Sequence, residues 1–346
     1  MALNLIKYPP RLDLARIPTP LQFLSRASDK WGAGKRLWMK RDDLTGAALT
    51  GNKIRKLEFI AAHALEHGFN TLVTCGGVQS NHCRATALVA AQLGLDCHLV
   101  LRADDESEQN TGNFLLDQLA GATFEIWPAK EWATQLKVIY GRLELEFAEA
   151  GRPALMIPTG GSDSLGVWGY IAATEELRGD LAQHHIERAA LTLATGSAGT
   201  QTGLTAGVAM FDLPLDVVAY AVCDDADWFN RRVASDWQAS MARWPQLPKI
   251  DLAPQTRDHS VGPGYGRADA PVYELIAELT RLEGVVLDPV YTGKAFRGLV
   301  TDLHDGFYQD VDDIIFVHTG GVFGLFAHEP QLMNAASGVS WWRRKA

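Results

Sequence analysis

Several signatures of common protein classes are missing from this chain. It has no apolar run of the roughly 18 residues that a membrane-spanning helix needs. Its first twenty residues, MALNLIKYPPRLDLARIPTP, carry prolines and charges where a secretory leader would be apolar. Cysteine is scarce: Cys75, Cys83, Cys97 and Cys223, with no Cys-x-x-Cys pair. A reduced, cytoplasmic protein is expected. No His-x-x-x-His set and no His/Cys cluster at zinc spacing is read among the ten histidines, so no structural or catalytic zinc, and no other metal site, is expected. An excess of positive charge is also missing. The formal net charge of −9 argues against general binding to nucleic acid or an acidic membrane, though it leaves room for a local basic pocket. There is no repeat of fixed period and no low-complexity tract.

What is present is ordinary globular composition over 346 residues, 47% of them apolar, enough for two domains or one large one. Short β-branched runs alternate with longer helical periods. "NTLVTCGG", "DCHLVLR", "ATFEIW", "ALMIPTGG", "AALTLATG", "LDVVAYAV" and "DDIIFVHTGG" read as strands, most of them followed by helical segments. This alternation predicts an α/β fold with mostly parallel sheet. Residues 242–270 are the least regular zone, rich in Pro, Gly and Asp, and a loop of that length is often functional.

Four of the strands end in turns that combine Gly with Ser, Thr or Asn. They are Gly76-Gly77 before Ser80, Thr159-Gly160-Gly161-Ser162, Gly196-Ser197-Ala198-Gly199-Thr200 and Thr319-Gly320-Gly321. One such turn is no more than a tight turn and a cap. Four at the same end of parallel strands point to a ligand site, because ligands bind beyond the C-terminal strand ends.

The helix that opens in "LTGNKIRKLEF" carries Lys53, Arg55 and Lys56. At 100° per residue, Leu57, Ile60, Ala61 and Ala64 fall on an arc centred about 40° from Lys53. Arg55 lies on the far face, at about 200°, and is expected at the surface, solvated or ion-paired. Lys56 lies on the flank. Lys53 therefore sits in the first turn on the buried arc. A desolvated lysine at a helix N-terminus loses its proton more easily, as a Schiff-base nucleophile must. The other reading, a side chain that snorkels to water, stays open on this segment alone.

"GSAGT" at 196–200 lacks the Gly-Lys-Ser/Thr ending of a nucleoside-triphosphate loop and is not Gly-x-Gly-x-x-Gly. What remains is a cup of backbone N–H groups with the Ser197 and Thr200 hydroxyls, suited to one terminal phosphate. A buried lysine nucleophile together with a monophosphate cup suggests pyridoxal 5′-phosphate. Ser80 and Asn81 open a helix whose N–H groups suit a substrate carboxylate. N-capping by either is compatible with that role.

These segments, with "KRDDLTGAALTGNKIRKLEF", "CGGVQSNHCRATA", "GNFLLDQLAGA", "GGSDSLGVWGY", "TGSAGTQTGL", "GPGYG", "LDPVYTGKA" and "FVHTGG", resemble the D-cysteine desulfhydrase and 1-aminocyclopropane-1-carboxylate (ACC) deaminase family. The match runs in order from about residue 8 to 330. The resemblance implies a fold-type-II pyridoxal-phosphate enzyme, similar to the tryptophan synthase β-subunit, with two open, twisted, mostly parallel sheets flanked by helices. It implies a large domain of residues 1–53 plus 170–346, a small domain of residues 54–169, and an active site in the cleft. A homodimer acting on a small amino acid is implied as well. Carried over by position, Lys53 is the Schiff-base lysine, and Ser80, Tyr265 and Tyr291 are active in catalysis. Asn52, Asn81, Gly196, Ser197, Ala198, Gly199, Thr200, Tyr291, Thr319 and Gly320 hold the cofactor. Gln79, Ser80, Asn81, His82 and Thr292 meet the substrate.

Thr292 departs from the deaminase pattern, which has Glu after the "DPVY" tyrosine. Glu would strengthen the electron sink that ring opening needs, so Thr292 favours β-elimination. D-Cysteine is the expected substrate; L-cysteate and the cyclopropane amino acid are alternatives. Arg267, after "GYG", is expected at the surface, with anion binding at the substrate mouth as the alternative.

Overall fold

The computed structural model describes residues 6–103 and 111–337. Residues 1–5, where the leader reading begins, lie outside them. In chain order the elements are β1 (Leu21–Phe23), α1 (Ser25–Trp31), β2 (Arg36–Lys40), α2 (Asn52–Glu66), β3 (Thr71–Gly77), α3 (Asn81–Leu93), β4 (Asp96–Arg102) and α4 (Gly112–Leu119). Then follow β5 (Thr123–Trp127), α5 (Ala129–Glu149), β6 (Ala154–Met156), α6 (Val167–Gln183), β7 (Ala189–Thr195), α7 (Gly199–Phe211) and β8 (Leu215–Ala221). The chain continues through α8 (Ala226–Arg243), β9 (Gln255–Arg257), α9 (Ala270–Glu283), α10 (Thr292–His304), β10 (Asp313–Val317) and α11 (Glu329–Ser337).

Two sheets result. One has the order β1-β2-β10-β7-β8-β9, with β1 antiparallel and the other pairings parallel. The other has the order β5-β4-β3-β6 and is wholly parallel. Central strands are buried on both faces. Every residue of β7 and β10 is buried, which is why "AALTLAT" and "DIIFV" read as continuous apolar runs rather than alternating ones. No helix among the described residues is long and apolar enough to cross a membrane.

Helix α2 differs from the amphipathic helix that its angular arc predicts. Leu57 and Ile60 enter one core, with Leu72 and Leu99 of the four-stranded sheet. Phe59 enters another, with Trp168 and Ile171 of α6. The helix is covered on nearly all sides, and this overturns the surface expectation for Arg55. Arg55 is 1% exposed. It pairs with Asp42 at 2.8 Å and Glu176 at 2.5 Å. Burial alone would raise the Asp42 carboxyl, but the Arg55 guanidinium holds it below its usual range. Tyr170 donates a further hydrogen bond to Asp42, at 2.6 Å. Lys56, placed on the flank by the same arc, is also 1% exposed.

The Arg55 pair gives a stability prediction. Arg55→Met leaves Asp42 buried without its cation and should lower the urea unfolding free energy by about 3–5 kcal/mol. A loss below about 1 kcal/mol, the range of exposed pairs, would show that the pair does not hold α2 in place.

Candidate active site

The loop ends converge on a cavity of about 830 Å³. Its base is set by the turn before α2. Gly51 has φ +97°, and a Cβ there would meet the Thr319 carbonyl at 2.7 Å. Gly320, at φ +91°, would place a Cβ 2.8 Å from the Gly51 Cα. Glycine at both positions lets the two backbones touch. The Asn52 amide then donates to Thr319 O at 3.1 Å, and its side chain donates to Thr200 Oγ1 at 3.0 Å. Lys53, the next residue, lines the cavity. Burial brings its amine down to about 8. Its Nζ has no protein acceptor among the described residues. A Cβ on Gly160, which has φ +70°, would come within 3.3 Å of that nitrogen.

The second wall is the turn from β7 into α7. Ala198 has φ +65°, and the amides of Ser197, Ala198, Thr200 and Gln201 meet no protein acceptor among the described residues. Orphan amides at the start of a 13-residue helix favour an anion. The hydroxyls next to them are oriented by a buried chain. Lys56 Nζ donates to Ser162 Oγ at 3.2 Å, and the Gly199 amide donates to the same oxygen at 3.2 Å. Ser162 must then donate its own proton to Ser197 Oγ, 2.9 Å away. That leaves the Ser197 proton free for a ligand. Burial pushes the Lys56 amine well below its usual range, and the nearby Lys53 adds to this.

The third wall comes from the four-stranded sheet. Ser80 caps α3, accepting from the Cys83 amide at 3.2 Å. Asn81 Oδ1 accepts from Asn113 Nδ2 at 2.9 Å, so the Asn81 NH₂ is turned outward as a donor. Thr74 donates to Ile157 O at 3.1 Å and so accepts from His82 Nε2 at 2.8 Å. Burial holds His82 well below its usual value, in the neutral form. Opposite, the Tyr265 and Tyr291 hydroxyls are 2.6 Å apart, and burial raises both.

The cavity thus gathers Asn52, Lys53, Ser80, Asn81, His82, Gly196, Ser197, Ala198, Thr200, Tyr265, Tyr291, Thr319 and Gly320. Three residues anticipated from sequence lie outside its lining. Gln79 instead anchors α4, accepting from the Asn113 amide at 2.9 Å and donating to Thr111 O at 3.0 Å. Gly199 packs behind the cup, where a Cβ would strike Ser162 Oγ at 2.5 Å. Thr292 is fully buried and donates to Asp288 Oδ1 at 2.7 Å. The hydroxyl available at that end of the cavity is therefore that of Thr319. Arg267 is exposed and does not line the cavity.

Sequence reading missed Gly160, Ser162, Arg102 and the buried role of Lys56. The first two stood in a strand-end turn already singled out, but their partners come from another sheet. The histidines also differ from the expectation. His63-Ala-Leu-Glu-His67 does have i, i+4 spacing, and His63, Glu66 and His67 bring ligand atoms within 4.8 Å of one another.

An electrophilic aldehyde facing Lys53 and a phosphate in the cup would meet the free Lys53 amine and the orphan amides at the start of α7. A family profile described as "Pyridoxal-phosphate dependent enzyme" matches residues 12–320. The chain belongs to this family. Among related pyridoxal-phosphate enzymes, a D-cysteine desulfhydrase of Yersinia pestis is 40% identical over 331 residues, 93% of this chain and 97% of its own. A Thermotoga maritima protein, provisionally named a 1-aminocyclopropane-1-carboxylate deaminase, is 38% identical over 328 residues, 93% of this chain and 100% of its own. The crystal structure of an ACC deaminase homologue superimposes with a TM-score of 0.85 at 34% identity, covering 94% of this chain and 96% of that one. A fungal L-serine ammonia-lyase from Rhizomucor miehei, 16% identical with a TM-score of 0.65, shares the fold-type-II architecture. The protein is thus a pyridoxal-phosphate dependent enzyme of the ACC deaminase and D-cysteine desulfhydrase group.

The depressed Lys53 amine gives a direct prediction. In cofactor-free enzyme, the acylation rate of Lys53 should rise with pH as the neutral amine forms, with a midpoint near the value of about 8 set by burial. A midpoint at the ordinary lysine value of about 10.4 would contradict the burial argument.

Proposed function

We propose that this enzyme is a carbon–sulfur lyase that performs α,β-elimination on D-cysteine, giving pyruvate, sulfide and ammonia. The observation that carries the reading is the Lys53 amine, without a protein acceptor and lowered by burial, in one cavity with the paired Tyr265 and Tyr291 hydroxyls. The D-cysteine desulfhydrase name of relatives at about 40% identity supports the choice of substrate.

Pyridoxal phosphate, when bound, supplies the electron sink that acidifies the substrate α-C–H bond and lets the β-substituent leave. We assign its phosphate to the amides of Ser197, Ala198 and Thr200 with the Ser197 and Thr200 hydroxyls. The 3′ oxygen is assigned to the Asn81 NH₂, and the ring nitrogen to Thr319. Lys53 is the covalent attachment point. Once substrate displaces it, its neutral amine can take the α-proton at Nζ. Ser80 and the first amides of α3 hold the substrate carboxylate. In the tyrosine pair one hydroxyl donates to the other, and the second proton is left to protonate departing sulfur. His82, neutral and held by Thr74, shapes the wall beside Lys53. The cleft is proposed to separate residues 54–169 from the remainder of the chain.

Ring opening of the cyclopropane amino acid is the second reading, favoured by the name of the Thermotoga maritima relative. It calls for a stronger sink, which a carboxylate at the ring nitrogen would provide. The carboxylate in the cavity lining, Asp224, is exposed, and the strand end offers only the Thr319 hydroxyl.

Parallel assays decide between them. Pyruvate and sulfide release from D-cysteine should exceed 2-oxobutyrate release from the cyclopropane amino acid by at least about 100-fold in kcat/KM. Equal or greater ring opening would sink the desulfhydrase assignment. Tyr291→Phe should lower kcat for D-cysteine by about 10²–10³, the scale of a lost general acid, with cofactor still bound.

A further inference from the structure

Lys294 is a buried lysine that does not line the cavity. It is the third residue of α10, whose N-cap is Tyr291, and it is 1% exposed. Its Nζ donates to three backbone carbonyls: Val222 O at 3.3 Å, Val261 O at 2.8 Å and Gly264 O at 2.6 Å. That uses all three ammonium protons. No carboxylate pairs with it among the described residues. Asp269 is taken by Arg297, and Asp288 by the Thr292 hydroxyl and the amides of Val290, Tyr291 and Thr292. Burial brings the Lys294 amine down to about 8. Dehydration without a counter-ion and a place in the first turn of a helix both work against a cation.

The three carbonyls belong to two segments that frame the tyrosine pair. Val222 follows β8, and Val261 and Gly264 lie in the irregular loop just before Tyr265. Packing does little to fix that loop. Gly262, Gly264 and Gly266 all have positive φ, and a Cβ on any of them would meet nothing within 4 Å. Within it, the Val261 amide donates to Asp258 O at 3.2 Å and the Arg267 amide to Gly264 O at 3.3 Å. The Tyr265 ring is met by the Arg102 guanidinium, whose carbon lies 4.9 Å from its centroid and 4.8 Å from that of Trp132. The backbone that carries the ring is held by Lys294. One nitrogen therefore joins the helix that starts at Tyr291 to the loop that presents Tyr265, and the two hydroxyls meet at 2.6 Å.

We propose that Lys294 is a positioning residue whose ammonium acts as a tethered monovalent cation, gathering three carbonyls so that the Tyr265 hydroxyl is delivered to Tyr291. The inference rests on the elimination reading above, in which the tyrosine pair protonates departing sulfur. Lys294 lies behind the cavity wall and acts through the loop. Carbonyl oxygens arranged around a cation hold it by their dipoles, and a free ion of similar size can take the same place. Truncating the side chain leaves a vacancy lined by three acceptors, which suits ammonium. A leaving group that needs no proton, such as chloride, should be nearly indifferent to where Tyr265 sits. A departing thiolate should not be.

The test compares holoenzyme of the wild type, Lys294→Ala and Lys294→Met on D-cysteine and 3-chloro-D-alanine, with ammonium chloride or tetramethylammonium chloride added at equal ionic strength. Tryptic cleavage after Arg267, which is exposed, reports on the loop independently of turnover. Lys294→Ala should lose roughly 10–100-fold in kcat for D-cysteine with KM nearly unchanged, the scale of a displaced catalytic group. Its kcat for 3-chloro-D-alanine should fall less than about threefold, since chloride leaves without a general acid. The variant should be cut faster after Arg267. Ammonium should slow that cleavage and restore D-cysteine turnover saturably; tetramethylammonium, too bulky for the vacancy, should do neither. Lys294→Met, whose chain fills the vacancy, should show the same split between substrates with no rescue. Equal losses on both substrates, or no ammonium rescue of Lys294→Ala, would show Lys294 to be only a structural staple and would overturn the proposal. Unchanged D-cysteine turnover in Lys294→Ala, or failure of both variants to fold, would overturn it too. With an active wild type, each of these leaves the lyase reading intact. No pyruvate from D-cysteine with the wild type would overturn both.

Discussion

Two glycines in van der Waals contact decide where the chemistry can happen. Gly51 ends the turn into α2, and Gly320 follows β10. A Cβ on either would collide with the other segment at 2.7–2.8 Å. Their contact lets the Asn52 amide reach Thr319 O and the Asn52 side chain reach Thr200. Through one dipeptide, the first turn of α2 is tied to the end of β10 and to the start of α7. Lys53 has no freedom to sit elsewhere once that tie is made. The site is therefore built on strand ends and helix starts rather than on the long irregular loop, which contributes Tyr265.

The same helix handles its three cations in three ways. Arg55 is fully buried and charged because two carboxylates pair with it, one of them, Asp42, held in turn by the Tyr170 hydroxyl. Lys56 is buried against neutral acceptors, the Gly160 carbonyl and Ser162. Lys53 has no acceptor at all among the described residues. Dehydration favours the neutral amine, so Lys53 and Lys56 both lose proton affinity, and the nearby Lys53 lowers Lys56 further. A bound phosphate would reverse that balance on the cup side, where Lys56 organises Ser162 and Ser197. Cofactor binding should accordingly stabilise the fold as well as complete the site.

Most of the architecture was legible in the sequence because parallel strands buried on both faces leave unbroken apolar runs, as in "AALTLAT" and "DIIFV". The Gly-containing turns marked the strand ends, and helical angle separated Lys53 from its neighbours. The expectation for α2 failed for a physical reason. A helical wheel assumes one buried face, whereas α2 is covered on nearly all sides, so Arg55 was placed at the surface and Lys56 on the flank. Gln79 and Thr292 have side chains that could serve a substrate, but local partners take them first: the start of α4 for Gln79 and Asp288 for Thr292. Arg102 carried no local signal, because its cavity wall forms only when Trp132 of α5 and Tyr265 of a distant loop close on β4. The spacing of His63 and His67 was in plain view and was misread.

The central claim is that Lys53 is the residue that holds the cofactor. Borohydride reduction of the pyridoxal-phosphate holoenzyme, followed by proteolysis and mass mapping, tests it most directly. The account predicts a single reduced pyridoxyl adduct on the peptide containing Gly51-Asn52-Lys53, lost in Lys53→Ala while the cofactor's phosphate still binds weakly in the cup. An adduct on Lys56 or on any other lysine, or full activity in Lys53→Ala, would contradict it.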